Sequence, residues 1–423
     1  MRQRFQRAWM LGLIVLGLLG ATAGPALASP ATALSKLQST LRHDVTEAGG
    51  SDGVLVVDRT TGKTLFSLDP RVRRLPASVE KLYTTATALL RYGATARLRT
   101  DVYGVGSLAE HGVWNGTLYL RGGGDPTFGS SSFDRSWYGA GATIQRLTSN
   151  LAHTGVRAVK GRIIGDESYF DAKRGTPATD YKPNLEVEGE LSGLSYDSGF
   201  TNAQGTALQT HPARYAAQEF AAALRSGGIK VPAKTPTVAG YTPNDAHLLT
   251  SVASPTMAKL IEMTNSPSDN FFAETLLKDL GARFGGGGTT ARGAAVVRAF
   301  LAQHFDLHPA LDDGSGLSRS DGTTPTDVVS LLEAMQSNHD FWTSLAIAAV
   351  RGTMKTEMRG TRAANNCRGK TGTLHDVANL VGYCRARNGD RLVFAFLFNR
   401  QSDSTHGHAV EDAMGEALAN YDP

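Results

Sequence analysis

Residues 75–86 read LPASVEKLYTTA, and the use of this stretch decides the fold. Ser78 and Lys81 stand three apart at the head of an apolar run. Val79, Leu82, Ala86, Leu89 and Leu90 recur at helical spacing, so the run predicts a helix. On a helix, side chains three apart are neighbours, and the hydroxyl can meet the amine. A serine hydroxyl is a weak nucleophile until a base takes its proton. Lysine serves as that base only when neutral, against a free pKa of about 10.4. Burial or a second cation would lower that value. The same residues also suit a capped helix, with Pro76 upstream, Ser78 as cap and Lys81 in solvent. Taken alone, the twelve residues leave both readings open.

Two further stretches bear on the choice. MTNSPSDNFFAETLL (263–277) places Ser268-Asp269-Asn270 at the mouth of a predicted helix. RGKTGTLHD (368–376) places Lys370-Thr371-Gly372 in a predicted strand. Each has a plain alternative, a helix-capping turn and a strand that stops at glycine. Together they supply what serine acyl transfer needs. A second hydroxyl and an amide can relay a proton and hold substrate. A second lysine brings positive charge near Lys81. A glycine admits close approach of a substrate backbone.

In this order, Ser-x-x-Lys, Ser-x-Asn and Lys-Thr-Gly resemble the signatures of penicillin-binding proteins and active-site-serine β-lactamases. The long interval between the first two is similar to the exported D-alanyl-D-alanine carboxypeptidase/endopeptidase family, the class C low-molecular-mass penicillin-binding proteins. Also similar to that family are YLRGGGDPTF (119–128), IIGDESYFD (163–171), LDDGSGLSR (311–319) and MRGTRAANNCRGKTGTL (358–374). The resemblance implies an α+β fold, an antiparallel sheet flanked by helices, carrying a large inserted α/β region of one or two domains. It implies Ser78 as nucleophile, Lys81 as general base, Ser268 as proton relay and Asn270 as a positioning group. Lys370, Thr371, Gly372 and Thr373 would bind the substrate's terminal carboxylate and backbone. The N–H groups of Ser78 and Thr373 would form an oxyanion hole. The substrates implied are peptidoglycan stem peptides, cut at the terminal D-alanine or at D-alanyl cross-links, and penicillins would inhibit covalently. Neither a cofactor nor a metal is implied. Val79-Glu80 departs from the more familiar Asn-Thr inside the first motif.

A β-lactamase must also discharge its acyl-enzyme quickly, which class A enzymes do with a glutamate on a loop between the second and third motifs. Here no glutamate lies between Glu274 and Glu333, and His304 in LAQHFDL (301–307) stands near the expected place. That favours a peptidase. A non-catalytic wall-binding scaffold of the same fold would not need all three motifs intact. Gly49-Gly50-Ser51-Asp52-Gly53 precedes a strand, the wrong context for an esterase elbow. His406-Gly407-His408 reads as a polar loop, His375 as a solvated turn residue, and Gly285–Gly288 as a flexible link. Asp125 and Asp166 fit substrate contact and structural turn equally.

The chain of 423 residues opens with Arg2, Arg4 and Arg7, an apolar run from Trp9 to Leu19, and Ala26-Leu27-Ala28. This reads as a cleavable signal peptide, so the protein is expected to be exported, with no transmembrane span in the mature chain. The formal charge of +4 sits mostly in that leader. What remains gives no basic tract for nucleic acid or an anionic membrane. Cys367 and Cys384 flank the His375-Asp376 turn at equal distances, as facing positions of a hairpin, and an oxidising compartment favours a disulfide. Strand and helix patterns divide the chain into a leader (1–28), a catalytic part (29–96), an insert (97–251) and a second catalytic part (252–423).

Overall fold

The structure, a computed structural model, describes residues 30–423. The expected signal peptide lies outside the described residues. The chain begins with α1 (Pro30–Ala48), the hairpin β1 (Ser51–Asp58) and β2 (Lys63–Leu68), and a 3₁₀ turn at Ala77–Glu80 that runs into α2 (Lys81–Tyr92). Then follow β3 (Arg99–Ala109), β4 (Val113–Gly122), α3 (Ser131–Trp137), α4 (Ile144–His153), β5 (Ala158–Lys160), β6 (Ile163–Asp166), α5 (Pro212–Ser226), β7 (Thr237–Ala239) and β8 (His247–Ala253). The last third holds α6 (Met257–Asn265), α7 (Asn270–Phe284), α8 (Thr290–Phe305), α9 (Pro325–Met335), α10 (His339–Ser344) and β9 (Ala346–Ile347). It closes with β10 (Arg368–Leu374), β11 (Val377–Arg385), β12 (Arg391–Asn399) and α11 (Ser404–Asn420).

The two ends of the chain share one antiparallel sheet, in the order β2-β1-β12-β11-β10-β9. Its centre, β11, is buried at eight successive positions because both faces are covered. One face packs against α2, α6, α7, α8 and α9 through Val79, Leu82, Phe272, Leu331, Val381 and Val393. The other packs against α1 and α11 through Leu41, Val54, Phe394, Phe396 and Met414. Two apolar faces on one sheet demand helices on both sides, which yields the α+β layering expected. α2 is buried from Lys81 to Leu89, so it runs through the interior. Cys367 and Cys384 close a disulfide where β10 begins and β11 ends.

The middle of the chain builds a second sheet, β7-β6-β4-β3-β8, with β5 beside β4. It has its own core of Val102, Leu118, Ile144, Leu147, Phe220 and Leu224. The glycines of residues 104–116 are not all turns. Gly106 and Gly116 pair within the β3–β4 ladder, each so close that a Cβ would lie 2.1 and 2.0 Å from the facing carbonyl. They extend the hairpin well beyond the apolar residues that announce it.

Candidate active site

The 3₁₀ turn carrying Ser78 is pinned from three sides. Asn379 on β11 donates to the carbonyls of Leu75 (3.0 Å) and Pro76 (2.8 Å). Gly316 presses on the turn so closely that a Cβ there would lie 1.8 Å from the Ala77 carbonyl. Gly372 of β10 faces Pro76, whose carbonyl would stand 2.6 Å from an added Cβ. The glycine of the third motif therefore lets the strand approach the Ser78 turn closely. Ser78 does not cap the helix. The cap position falls on Pro76, without a side-chain bond.

Instead, Ser78 Oγ accepts from Lys81 Nζ at 2.8 Å. The ammonium also donates to Asn270 Oδ1 (2.6 Å) and to the Ser315 carbonyl (2.8 Å). Lys81 is wholly buried, and that burial lowers its pKa to about 8 despite the nearby carboxylates of Glu188, Asp313, Glu274 and Asp269. The second lysine is not what depresses it. Burial also lowers Lys370, and there the charge of Lys81 adds to the effect. Lys370 Nζ donates to Ser268 Oγ at 2.8 Å, which joins the second motif to the third. Ser268 holds a left-handed backbone (φ 71°), an uncommon conformation for serine, just before Asp269 caps α7 by accepting from Phe272 N at 2.8 Å. The structure thus forms two hydrogen-bonded groups, Ser78 with Lys81 and Asn270, and Ser268 with Lys370, near enough that the charge of Lys81 acts on Lys370.

β10 supplies the wall of the site. β9 pairs with it only at Arg368 and Gly369, so among the described residues its outer edge has no strand partner from Lys370 onward. Thr371 Oγ1 donates to Thr353 Oγ1 (2.7 Å), and Thr373 Oγ1 meets His408 Nε2 (2.8 Å). His408 lies on α11, so the polar-loop reading of residues 406–408 does not hold. Asp125 accepts from the backbone and hydroxyl of Thr127, and Asp166 from Ser168 N and Thr242 N, so both secure turns of the insert. His304 stacks on Phe300 with ring centroids 4.0 Å apart, and bonds the Phe300 carbonyl.

Three features of the site had no signal in the motifs. Asn270 N donates to Glu188 Oε2 (2.6 Å) and its Nδ2 to the Glu186 carbonyl (2.7 Å), so a loop of the insert grips the second motif. An acid at the first turn of α7 also suits the positive end of the helix dipole. Nothing in NLEVEGE (184–190) marks it for this contact. The second is His408. The third is Glu80, fully buried beside Lys81, with neither carboxylate oxygen hydrogen-bonded among the described residues.

Burial, reinforced by the charges of Asp313 and Glu274, raises the Glu80 carboxyl well above its ordinary 4.5. A raised folded-state value means that its contribution is full below the unfolded value and is lost as pH rises from there toward the raised folded value. Glu80→Gln is therefore expected to raise Tm over the wild type at about pH 8, with the gap closing toward about pH 4.5. Tm measured across that range checks this, and equal values at every pH would refute a buried proton on Glu80.

Two buried lysines, each bonded to a serine, can move a hydroxyl proton. On this helix–sheet–helix frame, that arrangement is the one expected of the penicillin-binding class. Comparison with known families is more specific. The chain belongs to the D-Ala-D-Ala carboxypeptidase 3 (S13) family, matched over residues 34–189 and 184–421, and is a serine-type carboxypeptidase. It is 29% identical to a D-alanyl-D-alanine carboxypeptidase of Actinomadura sp., across 97% of this chain and 89% of that one. It is 28% identical to carboxypeptidase DacB of Mycolicibacterium smegmatis, across 86% and 79%. Among solved structures, penicillin binding protein 4 (dacB) of Haemophilus influenzae superposes with a TM-score of 0.73 at 20% identity, covering 91% of this chain and 98% of that one. A complex of that protein with a β-lactam superposes at 0.70 and 19% identity, covering 92% and 99%. Both structural likenesses concern the fold.

Proposed function

We propose that the protein is an exported hydrolase of peptidoglycan stem peptides that removes the terminal D-alanine through an acyl-enzyme on Ser78. The carrying observation is the 2.8 Å contact between Nζ of the fully buried Lys81 and Oγ of the half-buried Ser78. A neutral Lys81 takes the Ser78 proton as Oγ attacks the carbonyl of the penultimate D-alanine. The N–H groups of Ser78 and Thr373 steady the oxyanion. Ser268 hands a proton to the leaving amine, with Lys370 at its back, and Asn270 holds Lys81 and the substrate. Lys370, Thr371 and Thr373 receive the terminal carboxylate, whose negative charge would favour the ammonium form of Lys370. The substrate lies along the open edge of β10 as an added strand. Water then releases the acyl group.

An amine from a neighbouring stem peptide could leave in place of D-alanine, so the same steps extend to D-alanyl cross-links. Residues 97–251 act in this reading as an insert that steadies the second motif through Glu186 and Glu188. No helix among the described residues is long and apolar enough to cross a membrane. His304 is exposed on α8, stacked on Phe300 and bonded to the Phe300 carbonyl, and among the described residues it makes no hydrogen bond to the Ser78 group. Benzylpenicillin should therefore leave a lasting adduct of one penicilloyl group. Intact-mass spectrometry over time checks this. Rapid drug hydrolysis without an adduct would turn the reading to a β-lactamase, and neither adduct nor hydrolysis to a wall-binding scaffold.

A further inference from the structure

Thr373 does not stand alone at the end of the third motif. His408 Nε2 lies 2.8 Å from its Oγ1, and His408 Nδ1 lies 2.7 Å from Glu411 Oε2. Glu411 is 2% exposed, and its other oxygen has no hydrogen-bond partner among the described residues. A hydroxyl, an imidazole and a buried carboxylate thus form a chain running from the site into α11. A cavity of about 150 Å³ opens beside it, lined by Thr353, Thr371, Thr373, Glu357, His408 and Asp412 among others.

With Glu411 ionised, the chain has two proton arrangements. A hydroxyl has one hydrogen to give. When the imidazole carries both N–H groups, Nδ1–H donates to Glu411 and Nε2–H donates to Thr373 Oγ1. The Thr373 hydrogen is then free to point into the site. When Nε2 is bare it accepts that hydrogen, and Thr373 presents only lone pairs, which repel a carboxylate.

We propose that His408, held by Glu411, is a positioning residue that turns the Thr373 hydroxyl proton toward a peptide's free C-terminal carboxylate, and so selects substrates that bear one. This rests on the reading that Thr373 receives that carboxylate. The charged groups facing His408 are Glu411 and Asp412 on α11 and Glu357 from the segment after Met354. Burial opposes the charged ring, but the bond to Glu411 and the charges of Glu411, Glu357 and Asp412 outweigh it and raise the His408 pKa. Carboxylate binding should accordingly weaken as pH rises through the His408 value.

The test uses the full-length enzyme, after benzylpenicillin labelling has shown that acylation occurs. Failure of that labelling concerns the proposed function and not this inference. In His408→Gln with an unchanged Tm, KM for a D-Ala-D-Ala-terminated peptide should rise by about tenfold, the effect of losing one charge-assisted bond. kcat should change by less than about threefold, and the alkaline rise in KM should flatten. A variant that does not fold leaves a second measurement. In Ser78→Ala protein, the NMR-detected His408 pKa should rise on binding an acetylated D-Ala-D-Ala peptide but not its C-terminal amide, because binding and protonation are reciprocally linked. An unchanged KM and pH profile in a folded His408→Gln enzyme, or equal pKa shifts with acid and amide, would overturn the proposal.

Discussion

Replacing Ser78 with alanine is expected to abolish covalent labelling by benzylpenicillin while leaving the fold intact. The first half follows from the chemistry. Without the hydroxyl no acyl ester can form on residue 78, and the half-buried Ser268, bonded to Lys370, serves in this reading as a proton relay and not as a nucleophile. The second half follows from the geometry. Ser78 Oγ makes no cap bond to the helix, and the turn is held by Asn379, Gly316 and Gly372 through backbone atoms that the substitution leaves in place. Lys81 keeps Asn270 and the Ser315 carbonyl as acceptors. One lost hydrogen bond is worth about 1 kcal/mol, so Tm should stay close to that of the wild type. Mass spectrometry after drug exposure, beside a thermal melt, measures both halves. Persistent labelling of the alanine variant would remove Ser78 as nucleophile.

The sequence made part of this site legible because some of its chemistry is local. Ser78 and Lys81 meet through helical spacing, and Asp269 caps α7 within its own motif. The sheet that joins both chain ends was also readable, since β1, β11 and β12 are apolar runs bounded by turns. Other contacts leave no local trace. Glu188 reaches Asn270 across 82 residues and His408 reaches Thr373 across 35, and neither residue type is unusual in a polar stretch. Gly372 has a second use that was hidden for a related reason: a glycine announces that something approaches closely, and only the packed chain shows that Pro76 does so. Glu80 looked like a free choice at a variable position. Its cost appears only when α2 is seen to be buried on every side.

Removing the amine at Lys81 tests the base separately from the nucleophile. Lys81→Ala keeps Ser78 and the oxyanion donors, so any remaining acylation measures what those groups achieve without proton transfer. General base catalysis typically contributes about 10²–10⁴ in rate, and penicillin acylation should fall by a factor in that range. In the wild type, the depressed value of about 8 means that the neutral, competent amine accumulates as pH rises through it. The acylation rate should therefore climb on that side and be flat in the variant. Stability carries a second signature. Between about 8 and the ordinary 10.5 the unfolded chain binds the lysine proton more readily than the folded one, so wild-type stability rises with pH across that window. In Lys81→Ala that rise should be smaller, with Lys370 as the remaining depressed amine of the pair. The alanine also leaves Asn270 Oδ1 and the Ser315 carbonyl without their donor, an expected loss of about 1–3 kcal/mol. Acylation at a near-normal rate, with the same pH profile, would show that another group takes the proton from Ser78. A rate that falls only as far as the melt accounts for would show that Lys81 organises the site without acting as its base.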